Sequence, residues 1–288
     1  MSTEMRKDAG TVRCTTCFRG CELRDGAVGS CHARGNADGR IVPLGYGRVT
    51  SIAIDPIEKK PIARWKSGST VLSLGGYGCN LRCPWCQNSS ISQAGEGDIG
   101  WREYTPERIA ALAAELNADD PRMVGVAYTY NEPLVTWEFV RDCAELVHAA
   151  GLSNVLVSAG CVSTEVIREV APLIDAANID LKSFREDTYR MLGGDLGLAK
   201  STIGMLASVP SCHVEVTTLV VPGINDTDEE MEELSGWVAS IDPGITLHVS
   251  RFHPAYRMRD RGPTSVRRVY ALAEVARRNL VHVYTGNC

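Results

Sequence analysis

From residue 70 onward, short runs of apolar and β-branched residues alternate with longer segments in which apolar residues recur every three or four positions. The short runs predict strands near residues 71–74, 123–128, 154–158, 176–180, 213–219, 245–250 and 281–284. The longer segments predict helices near residues 106–117, 134–150, 164–172, 195–208, 227–240 and 265–279. Strands that alternate with helices in this way indicate βα units and a parallel sheet.

The loops that follow parallel strands lie together at the carboxyl ends of those strands. Polar and cysteine-containing segments follow several of the predicted strands, so we expect them to meet at one end of the sheet. The pattern alone allows either a barrel or a doubly wound sheet. Gly75, Gly76 and Gly78 are only weakly similar to a phosphate-binding loop, because the third glycine of the dinucleotide fingerprint and the P-loop lysine are missing.

The first 69 residues lack this alternation of strands and helices. Residues 1–10 are expected to be disordered. Residues 11–45 are rich in Gly, Cys and Arg and have no helix or strand period, so we expect them to need a metal or a partner to fold. Residues 46–70 are interpreted as a connector. The predicted domains are therefore a Cys-rich segment with its connector at 1–69 and an α/β domain at 70–288.

The chain has 288 residues, of which 44% are hydrophobic, and a formal net charge of −5. A nucleic-acid-binding protein usually carries a basic face, so nucleic acid is a disfavoured partner. No apolar stretch reaches membrane-spanning length, and the amino terminus lacks the apolar segment of a secretory signal. Eleven cysteines in such a chain favour metal ligation over disulfides and a location in the cytoplasm.

Cys79, Cys83 and Cys86 follow the first predicted strand with the spacing C-x3-C-x2-C. Three thiolates in one loop can hold an iron–sulfur cluster, and a four-iron cluster normally takes four cysteine ligands. The next cysteine is Cys143, far along the chain, so one iron would keep an open coordination position. An open position on a metal is where chemistry takes place. A structural zinc site with a distant fourth ligand is the alternative that this spacing leaves open.

Five segments extend the pattern over most of the chain: IEKKP at 57–61, GCNLRCPWCQN at 78–88, TYNEP at 129–133, NIDLK at 178–182 and SRFHP at 250–254. Together they resemble the AmmeMemoRadiSam group of the radical SAM superfamily, which is related to the pyruvate formate-lyase activating enzymes. The resemblance implies an α/β fold, a partial (β/α)6 TIM-type barrel with a small Cys-rich amino-terminal metal-binding segment.

The resemblance also implies a reaction. In this superfamily the open iron of a [4Fe-4S] cluster binds S-adenosylmethionine (SAM), one electron cleaves it to a 5′-deoxyadenosyl radical, and the radical abstracts a hydrogen atom. An external reductant such as flavodoxin or ferredoxin would supply the electron. We expect a small-molecule substrate, with a sugar as one candidate, and epimerisation or dehydrogenation as the outcome. A glycyl-radical-enzyme activase that acts on a partner protein is the alternative.

The resemblance implies a set of SAM-binding residues. Asn131 and Glu132 take the place of the Gly-Gly-Glu motif that lines the methionine moiety. Asp180 and Lys182 lie in a segment that approaches SAM, and His253 matches a histidine that also does so. The residues themselves leave simpler explanations open, namely a helix N-cap, a surface ion pair and a solvated histidine.

Two further cofactor-binding candidates come from the residues alone. Gly78 directly precedes the first cysteine of the loop, where glycine permits a positive φ and a close approach of the backbone. Ser158 ends the third predicted strand, where its hydroxyl can bind a ribose or a carboxylate. Ordinary turn chemistry explains Ser158 equally well.

A second group of cysteines lies near the amino terminus with the spacing C-x2-C-x3-C-x9-C, namely Cys14, Cys17, Cys21 and Cys31. Four thiol ligands in one compact segment predict a closed metal site. Zinc and an auxiliary [4Fe-4S] cluster both fit, because both accept thiolates. The expected radical cluster in the same chain slightly favours iron and sulfide.

Two remaining cysteines are candidate catalytic residues. Cys288 ends the chain just after the last predicted strand, and Cys212 begins another strand. A free thiol near the substrate can donate a hydrogen atom to a substrate radical, so we expect Cys288 or Cys212 to act in this way.

Overall fold

The computed structural model describes residues 10–288, so the disorder expected for residues 1–10 falls almost entirely outside the described residues. The strands are β1 (Val12–Arg13), β2 (Glu22–Leu23), β3 (Arg34–Ala37), β4 (Arg40–Pro43), β5 (Arg48–Val49), β6 (Ser51–Pro56), β7 (Thr70–Gly75), β8 (Arg102–Glu103), β9 (Met123–Tyr128), β10 (Ser153–Ser158), β11 (Ala176–Asp180), β12 (His213–Val220), β13 (Thr246–Arg251) and β14 (Val283–Gly286). The α-helices are α1 (Ser89–Ser92), α2 (Pro106–Asp119), α3 (Trp137–Ala149), α4 (Thr164–Val170), α5 (Glu186–Leu192), α6 (Leu196–Ala207), α7 (Asp228–Ile241) and α8 (Val266–Ala276).

One large sheet has the strand order β14-β13-β12-β11-β10-β9-β7-β6. Its strands are parallel except for β6, which runs antiparallel to β7 at one edge. A doubly wound sheet reverses its strand order at a switch point. The order here follows the chain without reversal, which excludes a doubly wound sheet. Because crossovers between parallel strands are right-handed, this order places the connecting helices on one face.

The sheet has six crossovers between its parallel strands and is open, since β14 and β6 lie at opposite edges. The predicted α/β fold with a parallel sheet is therefore confirmed, and an open sheet of six βα units agrees with a partial barrel. Alternate residues of each strand face opposite sides. Leu72 packs in the main hydrophobic core, whereas Val71 packs on the other face with Ile57 and Ile62.

Side-chain caps mark the starts of two helices. The Thr105 side chain accepts a hydrogen bond from the Arg108 amide at the start of α2, with Pro106 in the first turn. Ser265 caps α8 in the same way. The helix predicted at 134–150 consists of a short 3-10 helix, Pro133–Thr136, followed by α3. Helix α5 was not predicted.

The amino-terminal third is more regular than the sequence suggested. Residues 11–45 contain two small hairpins, β1 with β2 and β3 with β4. The interpretation of 46–70 as a connector is wrong for β6, which pairs with β7 along its whole length. The predicted boundary after residue 69 thus separates two paired strands, and residues 51–56 belong to the main sheet.

Among residues 10–288, no helix combines the length and the apolar character that a bilayer-spanning segment needs.

Candidate active site

A cavity of about 280 Å3 lies at the carboxyl ends of the parallel strands. The loop after β7 contributes three thiols to its wall, which we call the cavity thiol set: Cys79, Cys83 and Cys86. The ends of the next three strands contribute polar side chains to the same wall: Asn131, Glu132, Ser158, Asp180 and Lys182. The structure therefore brings these predicted residues together around one cavity.

The surroundings of Cys79 and Cys83 disfavour their thiolate forms. Desolvation raises the pKa of Cys79 well above its ordinary value, and the negative charge of Glu132 adds to this effect. Desolvation also raises the pKa of Cys83 to about 11, although the Lys182 ammonium opposes the shift. Thiol protons are displaced when a metal binds. Three thiols on one wall fit a cluster that keeps one iron open to a ligand.

Gly78 is required by a contact with the amino-terminal segment. Its φ is +84°, a conformation that side chains rarely adopt. A Cβ at this position would also overlap the main-chain carbonyl oxygen of Cys31. The close approach expected for Gly78 is therefore present, but its partner is protein backbone.

Asn131 fixes the loop that carries the cavity thiol set. Its Oδ1 accepts a 3.0 Å hydrogen bond from the Gly76 amide, and its Nδ2 donates a 3.0 Å bond to the Gly78 carbonyl. Tyr130, the preceding residue, has a φ of +71°. A Cβ on Gly75 would lie only 2.9 Å from the Tyr130 ring. The small size of Gly75 thus permits the turn that aims Asn131 at the loop.

Glu132 is a buried carboxylate, with 2% of its surface exposed. Its Oε1 accepts hydrogen bonds from the Ser158 hydroxyl at 2.8 Å and from the Leu134 amide at 3.1 Å, and its Oε2 accepts one from the Ala159 amide at 2.9 Å. Burial raises the pKa of Glu132, and these three donors oppose the shift. A carboxylate has about four acceptor positions, so one position on Oε2 is left for a cationic ligand.

Asp180 and Lys182 form an ion pair in the cavity wall. Lys182 Nζ lies 2.9 Å from Asp180 Oδ2, and the lysine side chain is 19% exposed. Desolvation alone would lower the pKa of Lys182, but the negative charge of Asp180 raises it well above its usual value. Lys182 therefore stays cationic beside the cavity thiol set, where it offsets negative charge.

Besides Gly78, three of the predicted catalytic and cofactor-binding residues lie outside the cavity wall. Cys212 directly precedes β12, whereas Thr217 on the same strand lines the cavity. Five residues of strand span roughly 16 Å, so Cys212 lies far from the cavity wall, which argues against the catalytic role expected for it. His253 is exposed, and its Nε2 lies 3.3 Å from the Asn287 carbonyl oxygen. Cys288 is also exposed and lies at the rim, one residue beyond Asn287, which lines the cavity.

The far wall of the cavity contains polar residues that the sequence analysis did not select: Thr217, Ser250 and Asn287. Thr217 is 7% exposed, and within residues 10–288 its hydroxyl has no hydrogen-bond partner. A buried hydroxyl without a partner is costly, so a bound ligand is its natural partner. No local signal in the sequence marks Thr217, because threonine is common within strands.

The four amino-terminal thiols, which we call the amino-terminal thiol set, line one small cavity: Cys14, Cys17, Cys21 and Cys31. The volume of this cavity is about 10 Å3. Desolvation raises the pKa of Cys17 to about 11, and the nearby Cys31 and Cys14 add to the shift. In residues 10–288, no group of three or more His, Cys, Asp or Glu side chains is arranged to hold a metal ion. The side chains of both thiol sets must therefore turn toward a metal when it binds.

The whole chain resembles a known protein sequence. It is 36% identical over 282 residues to an uncharacterised protein of Methanocaldococcus jannaschii, covering 97% of this chain and 82% of that protein. It is also 22% identical over 178 residues to pyruvate formate-lyase 1-activating enzyme of Escherichia coli, covering 61% of this chain and 71% of the enzyme. The expected relation to activating enzymes agrees with this second match.

A solved structure shares the fold. A radical SAM methyltransferase from Sphaerobacter thermophilus superposes with a TM-score of 0.58 at 16% identity, covering 75% of this chain and 66% of that chain. The family model described as the radical SAM superfamily matches residues 74–238, which is more than half of the chain and includes the cavity thiol set. With the loop of three cysteines at the mouth of a parallel sheet, these matches show that the chain belongs to the radical SAM superfamily.

Proposed function

We propose that this protein is a radical SAM enzyme that abstracts a hydrogen atom from a polar small molecule, with a sugar as the leading candidate, in an epimerisation or a dehydrogenation. The superfamily implies a [4Fe-4S] cluster and SAM as cofactors. When bound and reduced by one electron, they supply a 5′-deoxyadenosyl radical. A one-electron donor such as flavodoxin or ferredoxin is the proposed reductant, and the cytoplasm, where thiols stay reduced, is the proposed location.

The cavity thiol set is proposed to hold the cluster through three cysteines. Glu132 is proposed to accept a hydrogen bond from the SAM ammonium through the free acceptor position on Oε2. Lys182 is the cation on the same wall and is suited to offset the charge of the thiolates or of a carboxylate. Ser158 and Asn131 act on the site indirectly, because their side chains bind Glu132 and the cysteine loop.

The observation that carries the substrate class is the Thr217 hydroxyl on the far wall, which has no hydrogen-bond partner within residues 10–288. Ser250 and Asn287 lie on the same wall and add a hydroxyl and an amide. These groups both donate and accept hydrogen bonds, as the hydroxyls of a sugar require. The cavity volume of about 280 Å3 is also close to the range of small-molecule sites.

Cys288 is proposed as the hydrogen donor if the reaction is an epimerisation. Its S–H bond would break, the hydrogen atom would form a new C–H bond on the substrate radical, and a thiyl radical would remain. One further electron from the same reductant and one proton from water would restore the thiol. In a dehydrogenation the substrate radical would instead pass one electron to the oxidised form of the one-electron carrier and one proton to water, and Cys288 would have no such role.

A protein-activating reaction is the second candidate, because the chain matches a pyruvate formate-lyase activating enzyme over 61% of its length. In that case the hydrogen atom would come from a glycine of a partner protein. The exposed rim formed by His253 and Cys288 would then meet the partner.

The test begins with anaerobic reconstitution, dithionite and SAM, followed by measurement of 5′-deoxyadenosine. A panel of monosaccharides and nucleotide-linked sugars is then added in D2O. A sugar that stimulates 5′-deoxyadenosine release and gains one deuterium at carbon supports the epimerisation, and one that loses two hydrogens supports the dehydrogenation. Release stimulated only by a glycyl-radical enzyme, with a glycyl doublet in its electron paramagnetic resonance (EPR) spectrum, would replace this proposal by the activase.

A further inference from the structure

We infer that the amino-terminal thiol set binds one zinc ion, and that this ion holds the loop carrying the cavity thiol set in its working position. Four thiolates of one segment form a closed tetrahedral zinc site. All four cysteines are free thiols that line the same small cavity. Neither the zinc site nor its effect on the loop depends on which substrate the enzyme uses.

The size of the cavity favours a single ion. Its volume of about 10 Å3 corresponds to one water-sized sphere. A cubane of four irons and four sulfides is many times larger than one ion. The slight preference for an auxiliary cluster at the sequence level is therefore replaced by zinc.

A buried arginine supplies the second observation. Arg34 lines the cavity of the amino-terminal thiol set, and its side chain is 6% exposed. Its two terminal nitrogens bind Glu138 and the Val135 carbonyl, but within the described residues the buried Nε has no hydrogen-bond partner. A Zn2+ ion with four thiolate ligands has a net charge of −2. The Arg34 Nε–H can donate to a thiolate sulfur, and its cation offsets part of that charge.

The segment that contains this site contacts the cysteine loop directly. The Cys79 amide donates a 3.1 Å hydrogen bond to the Cys31 carbonyl. Arg82 donates to the Ser30 carbonyl, one residue earlier. Arg19 Nε reaches across in the other direction and donates a 2.7 Å bond to the Asn80 carbonyl. The two thiol sets are thus joined through the main chain of one member of each set.

These contacts make the position of the loop dependent on the amino-terminal segment. Residues 11–45 form only short two-stranded hairpins, which are marginally stable without further support. An ion held by four thiolates would supply that support. Loss of zinc is therefore expected to release Cys31 and Ser30 from the loop and to lower the occupancy of the cluster.

The first experiment counts metals in the full chain, purified without oxygen from cells given both zinc and iron. About one zinc and, after reconstitution, about four irons per chain are expected. Growth with cobalt in place of zinc should give the visible absorption of tetrahedral cobalt thiolate. About eight irons and no zinc would overturn the zinc assignment in favour of a second cluster.

The second experiment separates the ion from its effect on the loop. Cys17→Ser should lose the zinc and at least half of the reconstituted iron, whereas Cys212→Ser, at the distant end of β12, should keep both. Arg19→Ala leaves every thiol in place and should keep the zinc while losing part of the iron. A zinc-free Cys17→Ser protein with four irons and an unchanged EPR response to SAM would overturn the positioning role.

A control guards against simple misfolding of Cys17→Ser. The wild-type protein is treated with a zinc chelator, and its far-ultraviolet circular dichroism is compared before and after removal of the ion. If the zinc-free wild-type protein keeps its circular dichroism but takes up less iron, the result supports the proposal. Unchanged iron uptake by the zinc-free wild-type protein contradicts it.

Discussion

The Ser158 hydroxyl donates a 2.8 Å hydrogen bond to Glu132 Oε1, which links the end of β10 to the turn after β9. The neighbouring Ala159 amide binds the other oxygen of the same carboxylate at 2.9 Å. Two adjacent strand ends are therefore held together by one buried charge. The carboxylate is fixed in direction before any ligand arrives, which favours binding of a cation at its remaining acceptor position.

Glu132→Gln should weaken SAM binding and leave the cluster in place. The amide cannot accept hydrogen bonds on its NH2 group, so it loses the Ala159 contact and the site proposed for the ammonium. A hydrogen bond to a charged group contributes about 1.5–3 kcal/mol, so SAM affinity should fall about 10- to 150-fold. A SAM titration of the reduced protein, followed by EPR, measures this.

Ser158→Ala is the matched control for Glu132→Gln. It removes one neutral donor and keeps the charge, so its effect should be about 1 kcal/mol, or about fivefold in SAM affinity. Iron content should equal that of the wild type in both variants. Wild-type affinity for SAM in Glu132→Gln would remove Glu132 from the binding site.

The residues around Glu132 show what the sequence could predict. Asn131 and Glu132 follow the end of a strongly apolar strand, so their place at the cavity was predictable from the local pattern. Thr217 lies within a strand, where a threonine is ordinary. That its hydroxyl lacks a partner in the described part of the chain depends on side chains from distant segments. Local patterns therefore locate the loops of the site, but the strand residues of the far wall require the assembled sheet.

Gly78 shows the same limit for a backbone contact. The sequence indicated that this glycine permits a close approach, yet its partner, Cys31, lies 47 positions earlier in the chain. Strand β6 was missed for a related reason. Its burial pattern is mostly exposed because it is an edge strand, so the apolar alternation that marks a strand is weak.

Gly78→Ala should lower the free energy of unfolding by more than the cost of the left-handed backbone conformation at residue 78 alone. A left-handed conformation costs a residue with a Cβ about 1–2 kcal/mol. Gly223 has a similar φ of +73°, but a Cβ there would have no atom of residues 10–288 within 4 Å, so Gly223→Ala isolates that strain. The extra loss in Gly78→Ala reports the clash with Cys31.

Urea unfolding of the two glycine variants measures this difference, and iron counting provides a second readout. Gly78→Ala should unfold at clearly lower urea and take up less iron, whereas Gly223→Ala should take up iron like the wild type. Equal stability and equal iron in the two variants would show that the Cys31 contact is unimportant.

Glu215 forms a buried charge cluster on the inner face of β12. Its carboxylate lies 2.9 Å from His213 Nε2 and 2.5 Å from His248 Nε2, and it accepts bonds from the amides of Ala63 and Arg64. Burial opposes ionisation, but these hydrogen bonds lower the pKa of Glu215 from 4.5 to about 2. The cluster holds the segment after residue 62 against the sheet.

This lowered pKa makes stability depend on pH. Ionised Glu215 stabilises the fold above about pH 4.5, its unfolded pKa, and the stabilisation is lost as the pH falls toward 2. The difference corresponds to about 3 kcal/mol. Glu215→Gln should lose about this amount at pH 7 and should show a flatter dependence of stability between pH 4.5 and 2.

Chemical denaturation of the protein without its iron–sulfur cluster, at several pH values, measures the effect of Glu215→Gln. Working without the cluster avoids the acid-driven loss of metal. Glu165→Gln is the control, because Glu165 is exposed and its carboxylate lies beside the Arg168 guanidinium at the surface, so this variant should stay within about 1 kcal/mol of the wild type. Identical pH profiles for Glu215→Gln and the wild type would contradict the stabilising role of the Glu215 carboxylate.

Cys288→Ala should separate epimerisation from dehydrogenation. If the thiol returns a hydrogen atom to the substrate, the variant should keep 5′-deoxyadenosine formation but lose solvent deuterium from the product. Cys212→Ala should behave like the wild type, because Cys212 lies at the other end of its strand. Mass spectrometry of products formed in D2O measures this, and full deuterium incorporation in Cys288→Ala would exclude the thiol.

Thr217→Val should weaken the response to substrate while sparing SAM cleavage in its absence. The valine keeps the shape of the side chain and removes only the hydroxyl that lacks a partner in the described residues. One hydrogen bond to a ligand contributes about 1 kcal/mol, so the concentration of substrate needed for half-maximal 5′-deoxyadenosine release should rise about fivefold.

Thr246→Val provides the matched comparison for Thr217→Val. Thr246 is fully buried and, in residues 10–288, its hydroxyl also lacks a partner, but it is not part of the cavity wall. Removing it should leave substrate response unchanged and stability equal or slightly higher, since an unsatisfied buried hydroxyl is lost. If both variants respond to substrate like the wild type, the Thr217 hydroxyl does not meet the substrate, and the far wall loses its strongest argument for a polar ligand.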